Sequence, residues 1–172
     1  MNSISQAMFF LTVLCASAST AAQTCQPHIR ATAPDSRYTV DAAQGTVLDN
    51  KTGLMWKRCA EGQSGTDCST GTVATYTWGQ ALSRAAGSAY AGYTDWRLPN
   101  IKELRSLVEE KCYHPAINLT VFPNATFLNK HWSSSSNASY SDLAWFVHFN
   151  SGNSYNDYRD YRSAVRLVRG GQ

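Results

Sequence analysis

The segment from position 150 to 163 is the feature that most constrains how this 172-residue chain can fold. It holds no aliphatic side chain, and eleven of its fourteen residues are Asn, Ser, Tyr or Asp. The core must therefore come from elsewhere, and the runs on either side, AWFVHF and AVRLV, are rich in strand-forming residues. Tyrosine offers a large, rigid contact area, and Asn and Ser offer adaptable hydrogen bonds. We therefore expect a binding surface held by strands. The alternatives are a loop whose aromatic rings pack on a neighbouring strand, and a disordered loop.

Composition indicates one globular domain with a mildly basic charge. Hydrophobic residues make up 43% of the chain and charged residues 16%, which argues against global disorder. The formal net charge of +3 is small and dispersed, whereas nucleic-acid-binding domains carry a clustered basic face. We therefore expect no nucleic-acid partner.

The N-terminus has the pattern of an export signal. Residues 7–18, AMFFLTVLCASA, are apolar but too short to span a bilayer, and small residues follow up to Ala22. We interpret 1–22 as a signal peptide, although a buried helix is an alternative. The mature chain would carry no transmembrane segment and would be periplasmic, exposed on the cell surface or secreted. Residues 23–45 then form an N-terminal strap or linker, and 46–172 form the domain.

Cysteine usage points to disulfides. If Cys15 leaves with the signal, an even set of four remains, and four cysteines allow three connectivities. Cys59 and Cys68 flank the Gly-rich polar loop EGQSGTD, so we expect them to pair, which leaves Cys25 for Cys112. No CxxC occurs and the histidines are scattered, so we expect no bound metal.

Local signals predict an α+β fold with two short helices and antiparallel strands. Asn50 to Gly53 joins two short apolar runs as a hairpin turn. Thr77 with Gln80, and Asn100 with Glu103, have the spacing of a capping box at a helix start. We expect the first helix to end near Gly87. The apolar stripe of the second is expected to comprise Ile101, Leu104, Leu107 and Val108.

The C-terminal part is predicted to be β. The run 131–134 is one expected strand, and 144–150 is another whose alternation places Trp145, Val147 and Phe149 on one face. Phe146, His148 and Asn150 then lie on the other face. Residues 150–153 turn the chain, and 163–169 form the closing strand.

Motifs for enzyme chemistry are missing from the chain. There is no GxSxG, HExxH or P-loop spacing, and no organic cofactor is expected. Neither Pro99 nor Pro123 follows an acidic residue, so the oxygen cage of a sugar-bridging calcium site lacks its first ligand. We therefore expect a binding protein and not an enzyme.

Several blocks in order resemble the Lcl C-terminal domain family of bacterial exported proteins. They are TGLMW at 52–56, AGYTDWRLPN at 91–100 with KEL at 102–104, WSSS at 132–135 and AVRLVR at 164–169. The resemblance covers roughly Thr46 to Arg169, and DWRLPN-x-KEL is its most specific block. It implies a C-type-lectin-like fold and, for some members, adhesion to glycans that include sulfated polysaccharides. One departure is Leu167, which stands where members often have Cys.

The tail from Ala144 to Arg169 also resembles the variable region of proteins targeted by diversity-generating retroelements. Those elements mutate template adenines, so Asn codons scatter to Tyr, Asp, Ser, His and Phe. The resemblance implies that such positions line an exposed ligand-binding face. Here they are Phe146, His148, Asn150, Ser151, Asn153, Ser154, Tyr155, Asn156, Asp157, Tyr158, Asp160, Tyr161 and Ser163, and more weakly Asn137, Ser139 and Tyr140. Trp145, Val147, Phe149, Gly152, Val165 and Arg166 interleave with them as fixed-looking residues.

Three functions follow as hypotheses. The first is an exported domain whose diversified tyrosine-rich face binds a protein or glycan ligand. The second is a fixed adhesin that holds anionic polysaccharide through Lys130, Arg159, Arg162 and Arg166. The third is a structural subunit of a surface assembly, whose oligomeric state the sequence leaves open.

Overall fold

A computed structural model describes residues 23–125 and 130–170 and confirms the α+β prediction. Within these ranges there are two α-helices, α1 (Trp78–Ala86) and α2 (Ile101–Arg105), and a 3-10 turn at Asp35–Arg37. The strands are β1 (Thr24–Cys25), β2 (Tyr38–Asp41), β3 (Thr46–Asp49), β4 (Met55–Lys57), β5 (Gln63–Ser64), β6 (Thr70–Gly71), β7 (Thr75–Tyr76), β8 (Cys112–Tyr113), β9 (Lys130–Ser136), β10 (Leu143–His148), β11 (Asn153–Tyr158), β12 (Ser163–Ala164) and β13 (Val168–Arg169).

Two larger sheets organise the domain. The five-stranded sheet has the order β11-β10-β9-β12-β7, and the four-stranded sheet has the order β13-β4-β3-β2. All described pairings are antiparallel except that of β9 with β12. Short strand pairs β1-β8 and β5-β6 lie outside these sheets. This antiparallel α+β arrangement is consistent with the C-type-lectin-like fold that the resemblance implies.

Both helices begin at the predicted capping boxes. The Thr77 side chain accepts from the Gln80 N–H, and the Gln80 side chain accepts from the Thr77 N–H. Asn100 and Glu103 make the same reciprocal pair at α2. Each box satisfies two amides that a helix start leaves without partners. The second helix ends at Arg105, yet Leu107 and Val108 are buried as its stripe predicted.

The predicted hairpin joins β3 to β4. Val47 pairs with Trp56, and both side chains are fully buried. Gly53 has a φ of +71°, a left-handed conformation that a Cβ disfavours, so the turn uses the freedom of glycine.

Strand β10 lies between two hydrophobic clusters and contributes to both. Val147 and Phe149 pack in a cluster with Leu104, Leu107 and Trp56. Phe146 packs in the other, whose members include Trp132, Trp96, Ala81 and Leu167. The predicted alternation along 144–149 is therefore confirmed, because successive side chains of a strand point to opposite faces.

The predicted closing strand 163–169 is wrong as one continuous strand. Its first residues form β12 in the five-stranded sheet, and its last form β13 in the four-stranded sheet. The chain passes from one sheet to the other through Val165, Arg166 and Leu167, which are all buried. The apolar pattern of 163–169 therefore reflects burial where the chain passes from one sheet to the other. These residues do not form a single continuous strand with one set of partners.

Both predicted disulfides form, Cys59–Cys68 and Cys25–Cys112. The second joins the start of the strap to β8, beside the pairing of β1 with β8. Farther along the strap, β2 pairs with β3 and adds a strand to the four-stranded sheet. The predicted signal peptide, 1–22, lies outside the described residues. Among residues 23–125 and 130–170, no helix has the length and apolar character needed to cross a membrane.

Candidate functional site

The tyrosine-rich segment, residues 150–163, contains a strand that its composition did not predict. Strand β11 pairs with β10 over its whole length, with Tyr155 opposite Phe146 and Asp157 opposite Ala144. Asn, Asp and Ser are poor strand formers, but cross-strand pairing with β10 overrides that weak preference. Gly152, with a φ of +77°, closes the hairpin between the two strands. The segment thus becomes the edge of the five-stranded sheet.

The single binding face expected from the sequence is wrong for β11, because alternation divides its side chains between two sides. Asn153, Tyr155 and Asp157 lie on the side of Phe146, which we call the Phe146 side. Ser154, Asn156 and Tyr158 lie on the side of Trp145, which we call the Trp145 side. Both sides reach solvent, because Tyr155 on the Phe146 side and Tyr158 on the Trp145 side are each about half exposed.

Three tyrosines of this edge expose about half of their surface. The exposed fractions are 52% for Tyr155, 51% for Tyr158 and 53% for Tyr161. The rings of Tyr158 and Tyr161 meet edge to face, with centroids 5.7 Å apart. Tyr155 lies over Phe146, with centroids 6.0 Å apart. Neighbouring rings therefore contact all three tyrosines, while about half of each residue remains exposed to water.

Two of the predicted site residues are not on the surface. Phe146 is 5% exposed because its ring packs edge to face with Trp132 inside the sheet. Ser163 is 2% exposed because it pairs with Tyr76 in β12. Neither side chain can touch a ligand in this conformation, so their expected place on the exposed face is corrected.

The remaining predicted residues all reach solvent, to different extents. Ser151, Asn153, Tyr155, Asn156, Tyr158, Asp160 and Tyr161 are exposed, whereas His148, Asn150, Ser154 and Asp157 are partly exposed. The weaker candidates form the turn before β10, where the Asn137 side chain accepts from the amides of Ser139 and Tyr140. The Arg159 amide donates to the Asp142 carbonyl at 2.9 Å, which places this turn beside the end of β11.

An ion pair marks the Phe146 side. The Lys130 ammonium lies 2.5 Å from a carboxylate oxygen of Asp157 and 5.1 Å from the centre of the Phe146 ring. Partial burial, with a smaller effect of the Lys130 charge, lowers the pKa of His148 below its usual value. Asp157 therefore has a cation partner, and His148 favours its neutral form.

A small groove of about 210 Å³ lies on the Trp145 side, between α2 and β11. Ile101 and Trp145 supply apolar surface, Lys102 and Arg105 supply charge, and Ser154 closes the groove at the strand. Trp145, Lys102 and Arg105 are not among the site residues predicted from the sequence. The sequence signal that could have indicated Lys102 and Arg105 is their position on α2, where they alternate with the apolar residues of its stripe. A larger cavity of about 670 Å³ lies at the strap, where Arg37 is already paired with Asp49.

The residues proposed to bind polysaccharide are mostly engaged within the protein. Arg166 is 1% exposed and donates to the carbonyl oxygens of Lys57 and Arg58. Burial lowers its pKa to about 9. Arg159 stacks over the Trp78 ring at 4.2 Å, and Arg162 donates to Gln80 and to Thr75. Arg166 is thus a core residue, which corrects its expected role as a surface contact.

Metal-binding geometry is likewise missing from the part of the chain that the structure describes. No group of three or more His, Cys, Asp or Glu side chains is placed there to hold an ion. The site combines aromatic rings, amides and hydroxyls with the Lys130–Asp157 ion pair, His148, Asp160 and the cations Lys102 and Arg105 of the groove.

Comparison with protein-family models gives a match described as the Lcl C-terminal domain over residues 45–169. The match includes both larger sheets apart from β2, both helices and the tyrosine-rich segment. A search of curated proteins finds none that matches this chain.

Proposed function

This chain belongs to the Lcl C-terminal domain family, and from that premise and the geometry of the edge we propose that it is an exported ligand-binding domain. Its site comprises the tyrosine-rich segment and the groove on the Trp145 side, and its ligand is a protein or a glycan. The protein carries out binding and not catalysis.

One observation carries the proposal: three half-exposed tyrosines stand on a strand and turn that the scaffold holds in place. Strand β11 is paired along β10, and the turn after it is tied to α1, since the Trp78 amide donates to the Arg159 carbonyl at 2.9 Å. A ring presented by an ordered backbone loses little freedom on binding, and buried aromatic anchors dominate interface energetics.

We also propose that this edge is diversified by a retroelement. Support comes from the contrast between the candidate variable positions, most of which are exposed, and the fixed-looking residues, most of which are buried. Gly152 illustrates the contrast: a Cβ there would lie 2.7 Å from a methyl carbon of Val108, and φ is positive. Phe146 and Ser163 fill the interior, so we expect the diversified set to exclude them.

The test is capture of ligands from cell-surface extracts by the wild type and by a triple variant, Tyr155→Ser, Tyr158→Ser and Tyr161→Ser. We expect the triple variant to fold normally and to lose capture. The matched control is Tyr113→Ser, because Tyr113 is 42% exposed in β8, outside the site, and capture should persist.

Unchanged capture by a folded triple variant would contradict the site assignment. Diversification has its own test in the neighbouring DNA, where we expect a reverse-transcriptase gene and a near-copy of the tail with adenines at the exposed positions. A neighbourhood without either would refute diversification and leave ligand binding standing.

A further inference from the structure

The backbone of β11 has an open flank, since β10 is its only neighbour among the strands that the structure describes. In an antiparallel pair, the N–H and C=O groups of alternate residues point toward and away from the partner strand. The Arg159 amide donates to the Asp142 carbonyl, on the β10 side, so residues 153, 155 and 157, in step with 159, also face β10. The N–H and C=O groups of Ser154, Asn156 and Tyr158 therefore point away from the sheet. The Tyr158 amide donates to the Asp157 side chain at 3.0 Å, in agreement with this orientation.

This edge lacks the usual protection against strand pairing. Soluble proteins blunt exposed edges with lysine, proline, bulges or inward-pointing charges. Strand β11, with the sequence NSYNDY, contains no lysine and no proline, and its register with β10 shows no bulge. Its single charge, Asp157, is paired with Lys130 on the Phe146 side. The amides and carbonyls of Ser154 and Asn156 are thus available to another strand.

The groove beside this edge indicates what such a strand would carry. On the Trp145 side, Trp145 and Ile101 offer apolar contact, and Lys102 and Arg105 offer positive charge. Arg105 is committed to Glu110 and to the Gly152 carbonyl. Lys102 is exposed and pairs with no carboxylate among residues 23–125 and 130–170. Charge complementarity therefore favours an acidic side chain at this position of the ligand.

We propose that the ligand is a polypeptide, and that an extended, acidic segment of it joins the five-stranded sheet as a new strand along β11. This inference rests on the proposed function and deepens it. Main-chain hydrogen bonds to Ser154 and Asn156 supply affinity that is independent of sequence. The tyrosines and the groove then contact alternate side chains of the bound peptide and supply specificity, as in other cases of strand addition. A backbone contact of this kind persists when the neighbouring side chains are diversified.

The probe is a displayed library of random linear peptides about ten residues long, the upper range of strand lengths. We expect selection on the wild-type domain to enrich acidic peptides without proline. Asn156→Pro removes the outward amide and leaves the pairing with β10 intact, because proline is tolerated at such edge positions. We expect it to bind the selected peptides at least about tenfold more weakly, since it loses a hydrogen bond and blocks close approach.

The matched comparison is Asn156→Ala, which removes the side chain and keeps the backbone amide. We expect it to lose clearly less affinity than Asn156→Pro, because the main-chain hydrogen bond remains. Equal loss in the Ala and Pro variants would show recognition by side chains and overturn the inference. If the Pro variant does not fold, strand addition is tested by amide hydrogen exchange of the wild type with and without bound peptide. Bound peptide should slow exchange at Ser154 and Asn156, and unchanged exchange there would overturn strand addition.

The acidic character has a separate test. Lys102→Ala should weaken binding of the selected peptides about two- to fivefold, as expected for the loss of one exposed ion pair. The loss of affinity should be larger at low salt, where charges are screened less. Lys51→Ala removes an exposed cation in the turn between β3 and β4 instead and should leave binding of the selected peptides unchanged. If Lys102→Ala binds the selected peptides with unchanged affinity, the acidic character of the ligand is overturned.

Failure of the inference differs from failure of the proposed function. If the triple tyrosine variant loses capture but no peptide is enriched, the site assignment is supported and strand addition is refuted. Binding confined to glycans would have the same consequence. Concentration-dependent dimerisation that Asn156→Pro abolishes would assign the edge to a second copy of this chain and overturn the inference as well.

Discussion

Two polar strands of one sheet, β9 and β11, have opposite roles. Strand β9 reads KHWSSSS and β11 reads NSYNDY, and neither contains an aliphatic residue. In β9, Ser133 is fully buried and its hydroxyl donates to the Trp145 carbonyl at 2.8 Å, where the pairing with β10 is irregular. In β11, Asn156 is exposed and its backbone faces outward. In this sheet, polar composition therefore corresponds to an exposed surface in the edge strand and to a buried hydroxyl in the inner strand.

The position in the sheet explains the difference. Strand β9 has β10 on one flank and β12 on the other, and its Ser133 hydroxyl takes the place of water in the interior. The Ser135 hydroxyl even accepts from the first amide of α2 at 3.0 Å. Among the strands that the structure describes, β11 has β10 as its only neighbour, so its outward polar groups keep their water.

The largest test of this contrast compares one aromatic residue from each strand. Trp132→Ala should destabilise the domain by about 3–5 kcal/mol, because it empties a fully buried site and leaves the Tyr76 carbonyl without its indole donor. Tyr158→Ala should change the free energy of unfolding by no more than about 0.5 kcal/mol, since half of its side chain is already in water. Urea unfolding of the two variants measures both values. Similar losses would mean that the edge is part of the core.

A smaller effect is expected from matched serines. Ser133→Ala leaves the carbonyl of Trp145 without its donor and should cost about 1–3 kcal/mol. Ser154→Ala removes only a long contact to Arg105, at 3.5 Å, and should be nearly neutral. The same urea titration resolves the two. If Ser133→Ala leaves the free energy of unfolding unchanged, the contrast between the strands fails, because the buried hydroxyl of β9 would not contribute to stability.

The smallest expected effect is a pH dependence at the junction of the two regions. His148 ends β10 and has a lowered pKa in the folded protein, because of burial and then of Lys130. As the pH falls below the unfolded value of about 6.5, the unfolded chain takes up the proton first. Stability should therefore decline with acidification until the folded pKa is passed, and then level off.

The comparison that isolates this effect is His148→Gln, measured by urea unfolding at pH 7 and pH 5. The variant should lose less stability than the wild type over that interval. An identical decline in both proteins would assign the pH dependence to other groups and leave His148 without a role.

Much of the scaffold was predictable because its determinants are local in the chain. Capping boxes at Thr77 and Asn100, the turn ending at Gly53 and the alternation around Val147 are each determined by a few adjacent residues. The Arg97–Glu103 ion pair was also within reach, because its members lie six residues apart at a helix start. The disulfides followed from an even count of cysteines and one short polar loop.

Local sequence signals are enough to predict the fold class, the capped helices and a polar, tyrosine-rich segment. That this segment is an edge strand, with side chains divided between two sides, follows from its pairing with β10. The tertiary structure also buries Phe146, Ser163 and Arg166, and it places Trp145 and Lys102 at the groove. The physical reason is that burial and strand pairing depend on partners distant in sequence. Residue type sets what a side chain can do, whereas the neighbouring strands set whether it meets the core or water.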